Sequence, residues 1–388
     1  MEKPLRYSHT YVTDSMTTET KNKILITRPS ISELEIEYVN DAIRNGWGEK
    51  CYDYIKRFEL SFAQYLGTTS SLATSSCTGA IHLALMAMGI KAGDEVLVPE
   101  STWIASVEPL LYIGAKPVFV DVLPDTWCID PSKLEAAITP RTKGIIVVHL
   151  YGNLADMDPI MALAKKHNLK VLEDAAEGLG SLYKGKKAGS IGHAGVFSFH
   201  GTKTISTGEG GMLVTNDETL MEEARILNDH GRNPKDGKAF WMARYGYKYK
   251  MSNLQAAMGC AQIERADELI EKKRENFSWY KEIFNDETKY RMNPETPGSR
   301  NSYWMPTLLV DHRYNMDRDG LITFLKNNGI DSRPFFYPLS SLPMFEDQRA
   351  NTVAYDLFGR GINLPSHQDL TIEDAKYVSE KIINYLGA

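Results

Sequence analysis

Cysteine is scarce in this chain, and its few copies are not arranged for metal binding or cross-linking. The 388 residues include four cysteines, which lie far apart and form no CxxC pair: Cys51, Cys77, Cys128 and Cys260. Zinc sites and disulfide frameworks need recognisable cysteine spacings. We therefore expect no metal site, no disulfides, and reduced thiols in a cytoplasmic protein.

Long apolar runs and clustered basic residues are also missing. No run approaches the roughly 20 apolar residues that span a bilayer, so no membrane association is expected. The formal net charge is −6 and the basic residues are scattered, which argues against nucleic acid as a partner. Residues 1–23 are rich in threonine, serine and charge and lack the apolar core of a signal peptide, so we interpret them as a mobile leader.

What the chain does contain is a regular alternation of short apolar runs and helical patterns. Helices are predicted, among other places, at 34–43, 52–66, 80–88, 104–112 and 159–167. Strands are predicted at 71–74, 95–98, 117–120, 144–149, 170–172, 196–199 and 212–215. This alternation predicts an α/β fold with a mostly parallel, seven-stranded sheet between helices.

The pattern changes after a long helical region that runs from residue 253 to about 284. Residues 288–300 carry two prolines and a glycine among polar residues, which is typical of a connection. A strand near 303–310, a helix near 318–328 and a closing helix near 372–386 follow. We predict a large domain over 24–287 and a small C-terminal α+β domain over 288–388.

Chemically useful side chains follow the predicted strands, where ligands of open α/β sheets bind. Ser76 and Thr78 lie in a hydroxyl-rich turn before a helix, where they either cradle a phosphate or simply cap the helix. Trp103 follows the next strand and either stacks on a planar ring or packs in the core. Asp174 follows a later strand and either holds a protonated ring nitrogen or caps a helix.

Lys203 lies between an apolar strand and a glycine-rich turn, in the segment 197–211. Most lysines near glycines are solvated, but an amine held beside an aldehyde cofactor forms a Schiff base. Together the four features offer a phosphate cradle, a ring platform, a partner for a ring nitrogen and an amine. The carboxylate that keeps a ring nitrogen protonated meets the electronic requirement of a pyridoxal cofactor acting as an electron sink.

Four segments together resemble the DegT/DnrJ/EryC1/StrS family of pyridoxal-phosphate-dependent sugar aminotransferases. They are 75–80, 173–177, 198–211 and 251–257, and the resemblance extends from about residue 24 to the C-terminus. It implies the aspartate aminotransferase fold, called fold type I, and pyridoxal 5′-phosphate as cofactor. It also implies an obligate homodimer with shared active sites.

The resemblance implies roles for the residues that match the family's motifs. Lys203 would form the Schiff base, Asp174 would pair with the pyridine nitrogen and Trp103 would stack on the ring. The phosphate would be bound by Ser76, Thr78 and Ser198 of one subunit and by Asn253 of its neighbour.

Two positions depart from the family's usual pattern. Cys77 stands where glycine is common, so the turn must manage without that glycine. Glu177 stands where glutamine or histidine is common, near the cofactor's ring oxygen, and a carboxylate can donate to that oxygen only if it is protonated.

The reaction implied consists of two half-reactions, with L-glutamate as amino donor and a keto sugar nucleotide as acceptor. Segments 303–305 and 329–339 resemble the perosamine-synthase branch, whose members aminate C4 of GDP-4-keto-6-deoxymannose for surface polysaccharides. A dTDP-4-keto-6-deoxyglucose 4-aminotransferase, an enzyme for a 3-keto sugar or cyclitol, and a non-catalytic regulatory relative remain as alternatives.

Candidate substrate contacts are His200, Lys250, Arg333 and Tyr337. Arg333 either pairs with a diphosphate or with the donor's carboxylate, or is a surface arginine with an apolar stem. Trp241 either lines the sugar pocket or, as is commoner for an aromatic, is buried.

Overall fold

The computed structural model describes residues 23–238, 240–346 and 350–387. The predicted leader therefore lies outside the described residues, except for Lys23. None of the helices within these ranges combines the length and the apolar character needed to cross a membrane.

Helices and strands alternate along most of the described chain. The helices are α1 (Glu33–Asn45), α2 (Asp53–Leu66), α3 (Cys77–Ala87), α4 (Glu108–Ile113), α5 (Pro131–Leu134), α6 (Met157–His167), α7 (Glu218–Asn228), α8 (Asn253–Glu264), α9 (Ala266–Ile283), α10 (Arg318–Asn327), α11 (Thr352–Arg360) and α12 (Ile372–Leu386). The strands are β1 (Ser70–Thr74), β2 (Glu95–Pro99), β3 (Lys116–Val120), β4 (Thr142–Val148), β5 (Lys170–Asp174), β6 (Leu182–Tyr183), β7 (Lys186–Lys187), β8 (Ala194–Ser198), β9 (Gly211–Thr215), β10 (Tyr290–Met292), β11 (Ser299–Arg300), β12 (Thr307–Val310), β13 (Arg333–Pro334) and β14 (Gly361–Asn363).

Helix α1 shows how local sequence fixes the end of an element and its packing. The backbone N–H of Ser32 donates to Glu35 Oε2 at 2.7 Å, which is half of a capping box. Glu35 also accepts a hydrogen bond from Arg265 Nη1 at 2.9 Å. Arg265 interrupts the helical region predicted for 253–284, which consists of α8 and α9. One acid therefore caps α1 and holds it at the joint between two later helices.

The large sheet has seven strands in the order β1-β9-β8-β5-β4-β2-β3. The pairs β2–β3, β2–β4, β4–β5 and β5–β8 are parallel, whereas β9 runs antiparallel to both β8 and β1. Each strand lies on one of the predicted apolar runs, and the mostly parallel sheet is confirmed. The carboxyl ends of the parallel strands share one edge of the sheet, and the first residue of β9 lies at that same edge.

The C-terminal part builds a smaller antiparallel sheet in the order β10-β12-β14-β13. The strand predicted for 303–310 is shorter, because β12 begins only at Thr307. Tyr303 has a φ of 50°, a left-handed conformation that does not occur inside a strand. The helices predicted near 318–328 and at 372–386 are α10 and α12.

Two apolar cores support these sheets, and both mix residues from the two predicted domains. The core of the large sheet includes Trp304 and Phe335 from the C-terminal part. The second core includes Phe277 and Tyr280 of α9. Packing thus crosses the predicted boundary between residues 287 and 288, and the division into domains stays a prediction.

Candidate active site

A cavity of about 510 Å³ lies at the edge where the parallel strands end. Its walls include residues that end or follow strands β1, β2, β5 and β8, together with residues of the C-terminal part. The structure brings most of the predicted site residues to this one cavity: Ser76, Cys77, Thr78, Trp103, Asp174, Glu177, Ser198, His200, Lys203, Arg333 and Tyr337.

Two predicted residues lie elsewhere. The Asn253 side chain accepts a hydrogen bond from the backbone N–H of Tyr54 at 3.1 Å and donates to the carbonyl oxygen of Gly46 at 3.3 Å. Lys250 Nζ lies 3.4 Å from Asp229 Oδ1 and lines a second cavity of about 370 Å³. Neither residue lines the cavity that contains Lys203.

Both expectations for Trp241 are wrong. Its side chain is 54% exposed, and it does not line the large cavity. Trp241 follows a short 3₁₀ turn and precedes α8, in a stretch without a helix or strand to pack it against the core. An aromatic side chain packs in a core only where a neighbouring element covers it.

The first turn of α3 forms the cradle predicted for a phosphate. The Ser76 hydroxyl accepts a hydrogen bond from the backbone N–H of Gly79 at 3.1 Å, so this serine does cap the helix. The N–H groups of Cys77 and Thr78 belong to the first turn and have no partner within the helix. A Cβ atom built on Gly211 would lie 2.5 Å from the Cys77 nitrogen, so β9 packs this closely against the cradle only because residue 211 is glycine.

Asp174 ends β5 and is held from two sides. Its Oδ2 accepts a hydrogen bond from the Ser106 hydroxyl at 2.7 Å, and its Oδ1 accepts one from the backbone N–H of Ala176 at 3.0 Å. Turns rather than a helix follow β5, so Asp174 is not a helix cap. The carboxylate is 5% exposed and lines the cavity. This position suits a cationic ring nitrogen.

Lys203 lies on the loop between β8 and β9, and its amine has two neighbours. Nζ lies 3.2 Å from Glu177 Oε1 and 4.0 Å from the centre of the Trp304 ring. The Lys203 side chain is 14% exposed, so the solvated alternative is excluded. An amine that borders a cavity and is withdrawn from bulk water is suited to covalent chemistry with an aldehyde.

The two departures from the family pattern have local explanations. Cys77 is the first residue of α3 and has a helical backbone, which does not require glycine. Burial raises the pKa of its thiol well above the usual value, and the charge of Asp174 raises it further. Burial also raises the pKa of Glu177, although the nearby Lys203 charge opposes that shift. Glu177 Oε2 accepts a hydrogen bond from the backbone N–H of Tyr151 at 2.8 Å.

The cavity also contains residues to which the sequence assigned no role at the site. Ser106 holds Asp174, and the Tyr151 ring stacks on the Trp304 ring with centres 6.2 Å apart. Tyr151 has a φ of 56° just after β4, at the same edge as the predicted site. An aromatic residue after a parallel strand was the signal available for Tyr151. Trp304 lies in segment 303–305, which resembles the perosamine-synthase branch, whereas nothing in a single sequence marks Ser106.

The residues present suit pyridoxal phosphate. A helix start with free N–H groups and hydroxyls suits the phosphate, and the buried Asp174 suits the ring nitrogen. Trp103 is 59% exposed at the cavity, with its ring centre 6.0 Å from that of Phe336, so a face remains available to a planar ring. Lys203 supplies the amine. Its Nζ contacts one oxygen of Glu177, and the other oxygen accepts from the backbone N–H of Tyr151.

Known proteins similar to this chain include GDP-perosamine synthases and sugar aminotransferases. It is 42% identical over 360 residues to a GDP-perosamine synthase of Escherichia coli O157:H7, covering 92% of this chain and 97% of the relative. A GDP-perosamine synthase of Caulobacter vibrioides is 41% identical over 358 residues, covering 91% and 95%. Among solved structures, the PLP form of a sugar aminotransferase from Streptococcus pneumoniae superimposes with a TM-score of 0.86 at 29% identity, covering 94% of this chain and 99% of that one.

A second solved structure, DesI in the presence of its TDP-sugar product, has a TM-score of 0.86 at 29% identity, covering 94% of this chain and 93% of that one. The model of the DegT/DnrJ/EryC1/StrS aminotransferase family matches residues 29–383. The cofactor is pyridoxal phosphate, and the fold is fold type I. The chain belongs to the DegT/DnrJ/EryC1/StrS aminotransferase family.

Proposed function

We propose that this enzyme transfers the amino group of L-glutamate to C4 of GDP-4-keto-6-deoxymannose and so produces GDP-perosamine for a surface polysaccharide. The observation that carries the proposal is the likeness to GDP-perosamine synthases, which extends over more than nine-tenths of the chain. A cytoplasmic location stays a prediction of the sequence.

The cavity supports an anionic sugar nucleotide as substrate. Arg333 lines it, and its guanidinium group forms no ion pair or hydrogen bond with any residue in the described ranges. An arginine fork binds a diphosphate or a carboxylate through two parallel hydrogen bonds. Tyr337 lines the same wall and is 51% exposed. Its ring packs on Phe358 with centres 4.2 Å apart, and its hydroxyl is available to a sugar or base.

The roles of the chain's own groups follow from their positions. When bound, pyridoxal phosphate supplies an aldehyde carbon and an electron-withdrawing ring. Asp174 would hold the ring nitrogen in its protonated form, and the Ser106 hydroxyl keeps that carboxylate oriented. Lys203 Nζ takes a proton from the donor's α-carbon and later delivers one to the carbon that becomes C4 of the amino sugar.

We propose in addition that the enzyme is a homodimer with shared active sites. Phe240, Met242 and Tyr245 are 91%, 44% and 79% exposed on one short segment, and clustered exposed apolar side chains mark interaction surfaces. Asn253 would serve the neighbouring cofactor only if its bonds to Tyr54 and Gly46 rearranged. Sedimentation equilibrium tests the dimer, and a monomer at assay concentration would refute it.

The substrate is tested by incubating the holoenzyme with L-glutamate and, in parallel, with GDP- and dTDP-4-keto-6-deoxyhexoses. Mass spectrometry and NMR of the product identify the nucleotide and the aminated carbon. We expect GDP-perosamine, with a higher kcat/KM for the GDP sugar. An amine at C3, or turnover of neither nucleotide, would overturn the proposal.

One alternative has a specific observation in its favour. The likeness to DesI, a protein solved with a TDP-sugar product, supports a dTDP-4-keto-6-deoxyglucose 4-aminotransferase. A higher kcat/KM for the dTDP sugar in the same assay would favour that alternative. The non-catalytic relative is disfavoured, because Lys203 and Asp174 are both present and line one cavity.

A further inference from the structure

The amine of Lys203 is flanked by an aromatic ring that comes from the C-terminal part of the chain. Trp304 Nε1 donates to the carbonyl oxygen of Thr202 at 2.9 Å, and the same indole ring has its centre 4.0 Å from Lys203 Nζ. Trp304 is 4% exposed. One side chain therefore contacts both the backbone just before Lys203 and the end of the Lys203 side chain.

The segment before Trp304 is anchored to loops of the large sheet. Asn301 Nδ2 donates to Asn153 Oδ1 at 2.7 Å, and Ser302 N donates to the Ser181 hydroxyl at 2.9 Å. A Cβ atom built on Gly152 would lie 2.5 Å from Asn301 Oδ1, so this close approach depends on glycine.

Tyr303, next to Trp304, has a left-handed backbone with a φ of 50°. Its N–H donates to Asn301 Oδ1 at 2.7 Å, and its ring stacks on Phe277 with centres 3.6 Å apart. A non-glycine residue keeps such a conformation only where its surroundings determine it, and such positions gather at functional sites. The strained backbone and its contacts direct Trp304 into the cavity wall.

An indole face and a carboxylate act differently on an amine. Glu177 attracts the charged amine but also accepts a hydrogen bond from it and competes for its proton. The face of a tryptophan ring attracts the cation without accepting its proton. Lys203 must release and regain a proton in each turnover. The Trp304 ring can hold the charged Lys203 amine in place without taking that proton.

We propose that Trp304 is a positioning residue for Lys203: its N–H fixes the backbone at Thr202, and its ring holds the amine at the cavity. The inference rests on the proposed role of Lys203 as the reactive amine. In this role Trp304 acts through Lys203, whose amine it contacts.

The first readout is the chemical reactivity of Lys203 in the full-length protein freed of cofactor. Trace acetic anhydride acylates neutral amines, and mass spectrometry of the Lys203 peptide gives the pH midpoint of acylation. In Trp304→Leu the charged amine loses the attraction of the ring, so the midpoint falls by about 0.5 to 1 pH unit. Trp304→Phe keeps a smaller ring and is expected to shift the midpoint by less.

The variants at position 304 leave every charged and titratable side chain that lines the cavity in place. Trp279→Phe is the matched control, because Lys272 Nζ lies 4.4 Å from the Trp279 ring centre on α9, away from the cavity. It should leave the Lys203 midpoint unchanged. The groups held constant are Cys77, Tyr151, Asp174, Glu177, His200, Glu209, Arg333 and Tyr337.

The second readout is steady-state turnover of the holoenzyme. Trp304→Leu is expected to lower kcat by about tenfold while KM for L-glutamate changes less than about twofold, and Trp304→Phe should recover most of the loss. An unchanged Lys203 midpoint in Trp304→Leu overturns the inference, whether or not kcat falls. If the leucine variant does not fold, Trp304→Met, which also lacks a ring, takes its place: a midpoint equal to wild type refutes the role.

Failure of the proposed function has a separate signature. If Lys203→Ala retains wild-type turnover, Lys203 is not the reactive amine, and the proposed function fails with it. If Lys203→Ala is inactive while Trp304→Leu leaves the Lys203 midpoint of the otherwise wild-type chain unchanged, only the role of Trp304 fails.

Discussion

Lys203 and Lys273 are both withdrawn from solvent, and they differ in what surrounds the amine. Lys203 borders the cavity, between Glu177 and the Trp304 ring. Lys273 on α9 is 2% exposed, and its Nζ donates to the carbonyl oxygen of Ser366. No acidic side chain in the described parts of the chain forms an ion pair with Lys273.

The difference shows that a lysine with a lowered pKa is not by that fact a reactive lysine. Burial lowers the pKa of Lys273 to about 7, a property often found in catalytic amines. Yet the Lys273 side chain extends from α9 to the segment after β14, and it does not line the cavity. Access to a cofactor site, rather than ease of deprotonation, separates Lys203 from Lys273.

Replacing Lys203 should have the largest effect on turnover. Lys203→Ala removes the amine that attaches the cofactor and moves the proton, so we expect turnover to fall by roughly 10³-fold or more. The visible absorption of the covalently bound cofactor should also disappear. Absorption spectra and product assays check both effects, and wild-type turnover in this variant would contradict the assignment.

Asp174→Asn tests the electrostatic half of the site. The amide keeps the shape of the side chain, but it no longer carries a charge to hold a protonated ring nitrogen. Its single oxygen can accept from Ser106 or from the backbone N–H of Ala176, but not from both. We expect kcat to fall about 100-fold. Ser106→Ala is the matched control, because it removes the donor at 2.7 Å and keeps the charge. Equal losses in both variants would show that orientation, not charge, matters.

Lys273→Met should have the smallest effect on turnover and a clear effect on stability. The pKa of Lys273 falls from the usual 10.5 to about 7 on folding, so the unfolded chain binds the extra proton between these pH values. The free energy of unfolding of the wild type therefore rises with pH from about 7 to 10.5. The variant should lack that rise, which is on the order of a few kcal/mol.

Urea unfolding at pH 7, 8 and 9 measures the difference between the two slopes. Lys272→Met, one residue earlier and less buried, controls for the loss of a lysine from α9. Parallel pH profiles for wild type and Lys273→Met would show that the buried amine stays charged in the folded protein.

The sequence predicted the elements whose signal is local. Apolar runs marked every strand of the large sheet, the Ser32–Glu35 box marked the start of α1, and α12 has the predicted bounds. It also predicted that residues after several strands would meet, because parallel strands end at one edge. That reasoning, together with the family resemblance, located Asp174 and Lys203.

What escaped prediction depends on contacts between distant segments. Ser106 matters because it reaches Asp174, and Trp304 because an irregular stretch carries it to Lys203. Residues 303–306 contain apolar side chains typical of a strand, yet the left-handed Tyr303 interrupts the pattern. Trp241 was misplaced because composition does not say which aromatic residue a neighbouring element covers.

The reversed direction of β9 has a consequence for how far Lys203 can move. Ser198 at the end of β8 is the pairing partner of Gly211 at the start of β9, and Gly211 also pairs with Thr74 at the end of β1. The loop that carries Lys203 thus leaves the sheet and returns to it at one row of paired residues. Both ends of the loop are fixed beside the phosphate cradle. The sheet therefore limits how far the backbone of Lys203 can move from that cradle.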